Sequence, residues 1–158
     1  MKGLSTKISV AAVAAILSLG FLAAPAAAHH SFAMYDQTKV LTFTGVVTRF
    51  VAQPNHAEIH FVPLGKDGKP MRDASGKFVP WGVEMAGAAA VATEGITVTS
   101  FVPGTIFSVN VNPLRDGKNF GSRTGMIYTC PKDTPPAAGK HCNSVQGSTQ
   151  HGRGEFRE

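Results

Sequence analysis

The sequence predicts an all-β domain with one short helix, arranged as a small OB-like five-stranded barrel, and three observations predict it. Five short segments rich in β-branched and aromatic residues are separated by turns containing Gly or Pro. One stretch of helix composition falls between the third and fourth of them. The resulting order, three strands, a short helix and two strands, is that of the partly open Greek-key OB barrel. A small β-sandwich, which also uses many short strands and Gly/Pro turns, is the second choice.

The chain opens with two lysines and no acid in Met1 to Lys7, an apolar run from Ile8 to Leu22, and then small residues with Pro25. This is the three-part pattern of a secretory signal, predicted to span residues 1–28 and to be cleaved. The run, at about 15 residues, is shorter than the roughly 20 that cross a bilayer. Small residues at both flanking subsites allow a cut after Ala26 or after Ala28.

The domain is predicted over residues 29–129. Ser31 to Lys39 is a mixed segment in which Phe32, Met34 and Tyr35 serve as apolar anchors and Asp36 pins the backbone. Val40 to Ala52 is the first strand, with Leu41, Phe43 and Val47 on one side and Thr42, Thr44 and Thr48 on the other. Gly45 within it suggests a bend or bulge. After the turn Gln53-Pro54-Asn55, His56 to Leu64 alternates more cleanly, with Ala57, Ile59 and Phe61 opposite His56, Glu58 and His60. Gly65 to Lys77 is polar and turn-rich, hence a long hairpin loop. Phe78 to Met85 is the third strand, with Trp81, Val83 and Met85 on one face and Gly82 and Glu84 on the other.

Ala86 to Glu94 has helix composition weakened by Gly87, and Thr97 to Val102 extends after it. Ile106 to Val111 is the fourth strand, Pro113-Leu114-Arg115-Asp116-Gly117 a turn, and Ser122 to Thr129 the fifth strand. Residues 130–158 are poor in apolar side chains and are predicted to form a flexible tail. Cys130 and Cys142 are the two cysteines of a chain bound for an oxidising compartment, so a disulfide is predicted; Cys130, His141 and Cys142 as zinc ligands lack a fourth group.

The formal net charge is +5, of which Lys2 and Lys7 belong to the signal. The remaining basic residues are scattered and not interleaved with aromatics, so no nucleic-acid footprint is predicted. No second apolar stretch follows the signal, so no membrane span is predicted in the mature form, and the location is periplasmic or secreted. No G-x-S-x-G elbow, H-E-x-x-H or phosphate-binding Gly loop is present, so a binding protein is predicted and not an enzyme.

Several stretches occur in a distinctive order: H-H-S-F-A-M-Y-D after the signal, T-G-V-V-T-R-F, P-N-H-A-E-I-H-F, W-G-V-E-M, P-G-T-I-F-S-V and P-L-R-D-G. Together they resemble a family of small exported bacterial proteins whose domain is of unknown function, over roughly His29 to Thr129. The family's usual aromatic-x-Asn-Pro-His turn becomes Ala52-Gln53-Pro54-Asn55-His56 here. The resemblance implies an exported β-domain and supports no reaction.

The candidate metal ligands are His29, His30, His56 and His60, and the predicted cofactor is copper. A cut after Ala28 would leave His29 first, so that its amine and imidazole chelate one ion, an arrangement similar to the histidine brace of copper-dependent polysaccharide oxygenases. A cut after Ala26 would leave a third-position histidine, similar to the amino-terminal square-planar Cu(II) and Ni(II) motif. Nitrogen ligands of this kind favour copper. His56 and His60, four residues apart on a strand, are too distant to share one ion, but one of them could join the terminal pair. The alternative is a metal-free module that binds an unknown protein partner or small ligand on its barrel face.

Overall fold

Six strands and one short helix build the computed structural model, which describes residues 32–158 with the side chain of Phe32 excepted. The predicted signal, both cut sites, His29 and His30 lie outside the described residues. The strands are β1 (Leu41–Ala52), β2 (His56–Pro63), β3 (Trp81–Ala86), β4 (Ile106–Pro113), β5 (Phe120–Thr129) and β6 (Thr149–His151), with α1 (Ala88–Ala92) between β3 and β4. β1 pairs antiparallel with both β2 and β4, β2 with β3, and β4 with β5; a parallel pairing of β3 with β5 closes the ring. The result is the predicted five-stranded mixed barrel, and the sandwich alternative falls away.

Period-two alternation is what fills it. Ala57, Ile59 and Phe61 of β2, Val83 of β3, and Phe107, Val109 and Val111 of β4 are fully buried. Phe61 meets Phe107 edge-on at 5.1 Å, and Phe107 meets Phe101 at 5.8 Å, which gives the interior an aromatic spine. Gly45 does not mark the bulge in β1; the register shift falls between Val47 and Arg49. The glycine instead admits the Phe61 ring, which a Cβ there would meet at 2.5 Å.

Three local expectations change for physical reasons. β3 begins at Trp81 and not at Phe78, because Pro80 has no N–H to offer a ladder; Phe78 makes only a single bridge with Arg72. The helix shortens to Ala88–Ala92. Thr97 to Val102 does not extend after it but turns: the Ser100 hydroxyl accepts from the Thr97 N–H at 2.9 Å, and the turn delivers Phe101 into the core.

The larger correction concerns residues 130–158, which do not hang free. Cys130 and Cys142 form the predicted disulfide, so they offer no zinc site, and Cys142 is fully buried. The Cys142 N–H donates to Ser108 Oγ at 2.8 Å, His141 Nδ1 lies 2.8 Å from Thr44 Oγ1, and Asn110 exchanges two bonds with the Arg157 backbone at 2.7 and 2.8 Å. β6 pairs with β5 and buries His151, whose Nε2 is 2.9 Å from Thr129 Oγ1 and whose ring packs on Phe101. Both tail histidines, which look incidental in the sequence, are thus part of the packing.

Burial holds His141 and His151 below the ordinary histidine value of 6.5. Below that value the unfolded chain binds more protons than the folded one, so stability is complete above about pH 6.5 and declines as pH falls beneath it. Thermal melts between about pH 7.5 and pH 5 are expected to show this loss, and a His141→Gln, His151→Gln double variant is expected to show a flatter pH profile.

Candidate functional site

The outward residues of β2 and β3 form one polar surface. Since β2 turns Ala57, Ile59 and Phe61 inward, His56, Glu58 and His60 must face out. On β3 the same rule turns Gly82 and Glu84 out. The antiparallel register then sets His60 opposite Gly82 and Glu58 opposite Glu84. Like charges directly opposite one another destabilise a sheet.

Each carboxylate finds an imidazole. His60 Nε2 lies 2.8 Å from Glu58 Oε2, and His56 Nδ1 lies 3.4 Å from Glu84 Oε1. Arg49, the cross-strand neighbour of His60, brings Nη2 to 3.2 Å from the same His60 Nε2. One ring nitrogen either accepts from the guanidinium or donates to the carboxylate, so these two contacts exclude each other as hydrogen bonds. The four side chains pair off and do not converge: among the described residues no group of three or more His, Cys, Asp or Glu is arranged to hold a metal ion. His56 and His60 share a face, as predicted, but are not brought together.

Tyr35 lies against this surface. It is 2 % exposed and forms a bridge with Leu114. Its hydroxyl faces the Glu84 carboxylate without reaching hydrogen-bond geometry. Burial first, then the charges of Glu84 and Glu58, push its pKa up to about 12.

The same stretch is fastened to the β4–β5 turn. The Asp36 N–H donates to Pro113 O at 2.8 Å, the Arg115 N–H to Met34 O at 3.0 Å, and Arg115 Nε to Ala33 O at 3.1 Å. Asp36 accepts from the Thr38 hydroxyl at 2.6 Å and pairs with Lys39 at 3.1 Å, and these contacts hold its carboxyl down at about 2. Asp36 therefore pins the segment as predicted and Tyr35 anchors it, while Met34 is 46 % exposed and anchors nothing. Trp81 is half-buried, resting 4.4 Å from Phe43.

No helix among the described residues is long and apolar enough to cross a membrane. A family model described as "Family of unknown function (DUF6152)" matches residues 16–124. No curated protein and no solved structure matches the chain.

The chain has two tyrosines, Tyr35 and Tyr128. In a Tyr128→Phe background, absorbance titration is expected to place Tyr35 near 12, and Glu84→Gln is expected to lower that value. Between the ordinary 10 and about 12 only the unfolded chain gives up this proton, so stability is expected to fall as pH rises through that window. Glu84→Gln should narrow the window.

Proposed function

The chain belongs to this family of unknown function, and we propose that it is an exported binding protein whose ligand is Cu(II), taken through His29 and His30 at the mature amino terminus, in a carrier, buffer or accessory role. The observation that carries the reading is the fastening of residues 33–36. A remnant left by signal cleavage has no need of a buried tyrosine, two backbone bonds and an arginine bond to the β4–β5 turn. These contacts begin at Ala33, three residues beyond His30. Cleavage after Ala28 would supply an amine and an imidazole on one residue; cleavage after Ala26 would supply amine, backbone nitrogens and a third-position imidazole. Either donor set is rich in nitrogen and suits copper, which stands at the top of the divalent affinity order.

A disulfide between Cys130 and Cys142 suits the oxidising compartment that export implies. The second reading is a metal-free OB-like module that binds a protein partner or small ligand. The opposed Glu58 and Glu84 on the outer face of β2 and β3 favour it, because a cationic group settling between them would relieve their repulsion.

Mass spectrometry of the exported protein should find a first residue at Ala27 or His29. Cu(II) titration followed by electron paramagnetic resonance should then show a nitrogen-rich site. Affinity is expected to fall as pH drops below about 7.7, where the α-amine and imidazoles take up protons. Acetylation of the terminal amine, the donor common to both sets, is expected to weaken binding by more than the ~10–100-fold that outer-shell changes cost. A natural form that begins beyond His30, or copper binding indifferent to acetylation, overturns the reading.

A further inference from the structure

Between the fastened amino-terminal segment and the β4–β5 turn lies a cleft of about 420 Å³, within the size range of small-molecule sites. Three separated stretches of the chain meet in it: Asp36 and Lys39, Trp81, and the Pro113-Leu114-Arg115 turn. Its apolar lining comes from Leu41, Trp81 and Leu114. Trp81 is backed by the Phe43 ring at 4.4 Å and is only half-buried, so the indole is held in place and still accessible.

The rim is cationic, and its cations are not equivalent. Lys39 is neutralised by Asp36 at 3.1 Å, and Lys118 by Asp116 at 2.8 Å. Arg115 has no carboxylate partner among the described residues. Its backbone N–H is bound to Met34 O at 3.0 Å and its Nε to Ala33 O at 3.1 Å, which fixes the root of the side chain and one edge of the guanidinium. The two Nη groups meet no acceptor among the described residues. An arginine held this way is a planar donor fork whose ordering cost has been met before any ligand arrives.

We propose that this cleft binds a small free carboxylic acid with a flat apolar body, the carboxylate on the Arg115 fork and the body against Trp81. One unneutralised cation matches a monoanion; a phosphate dianion beside two lysines that are already paired would be undercompensated. The planar fork matches a carboxylate, and the apolar lining matches a body without further charge. The site uses neither His29 and His30 nor the His56 to Glu84 surface, so it stands or falls apart from the copper reading.

Trp81 is the single tryptophan of the chain, so its emission reports on the cleft directly. Metal-free mature protein titrated with phenylacetate and with hexanoate is expected to give a saturable change in tryptophan fluorescence, matched by calorimetric heat. The uncharged match, phenylacetamide, is expected to bind at least about tenfold more weakly, as is phenylacetate to Arg115→Ala. Arg115→Lys, which keeps the charge and loses the fork, should fall between them. Trp81→Phe, followed by calorimetry, is expected to retain binding within about threefold, because the apolar floor persists. Circular dichroism checks that each variant is folded. Absence of saturable binding by both acids, an amide that binds as well as its acid, or unchanged affinity in folded Arg115→Ala overturns the proposal.

Discussion

The parallel pairing of β3 with β5 is the constraint on which the rest of the structure depends. Without it β3 would be an open edge, and so would the Phe120–Ser122 end of β5, whose other end β6 covers; with it the sheet closes and the interior is defined. Closure needs close approach, and two glycines permit it. Gly82 sits beneath the Phe120 ring, and Gly121 packs against Val111 and the Asn112 backbone, so that a Cβ at either would collide. The two are not equivalent. An aromatic ring at the surface can swing aside, whereas a backbone carbonyl cannot, so Gly121 is the stricter requirement and falls in the range of about 1–3 kcal/mol that overpacking costs. The same pairing sets where β3, and Trp81 at its start, stands relative to the β4–β5 turn.

How much of this is legible in the sequence depends on what holds each part. The barrel is held by apolar burial, and burial leaves a period: Ala57, Ile59 and Phe61 announce an inward face of β2, and His56, Glu58 and His60 announce an outward one. The carboxy-terminal residues are held differently. They lie on Thr44, Ser108 and Asn110, outward polar residues of β1 and β4 that are nonetheless buried, and the contacts are hydrogen bonds. A composition test that counts apolar residues cannot see such packing. The available signals were weaker ones: a cysteine pair that ties the segment to the end of β5, and aligned small polar residues on two strands. Tyr35 as an anchor was legible because an aromatic residue gains from burial wherever it lands. The pairing of His56 with Glu84 was not, because it depends on a register that emerges only once β3 is placed.

The opposed glutamates show how the barrel tolerates a local conflict. Directly opposed residues have Cβ atoms about 5 Å apart, and two unit charges at that spacing would repel by roughly 3 kcal/mol at an effective dielectric near 20 and by under 1 kcal/mol in bulk water. Their side chains are 28 % and 27 % exposed, which leaves solvent to screen them and moves the cost toward the lower figure. Flanking imidazoles and the Arg49 guanidinium reduce it further. Tyr35 keeps its proton well into the alkaline range, first because burial disfavours its phenolate and then because the charges of Glu84 and Glu58 do.

Arg115 belongs both to the fastening of residues 33–36 and to the cleft beside Trp81. Ordering a residue costs about 1–2 kcal/mol of backbone entropy, and a typical hydrogen bond returns about 0.5–1.5 kcal/mol. Residues 33–36 receive two backbone bonds and one arginine bond, which offset only part of that cost, and burial of Tyr35 must supply the remainder. Fastening is therefore cooperative: the tyrosine seat and the β4–β5 turn hold the segment together, and neither suffices alone. The bonds that fasten the segment also aim the arginine, because Nε is committed to Ala33 and only the outer donors remain. Order in the amino-terminal segment and order in the anion fork are thus one event, and a change that frees the segment must loosen the fork as well.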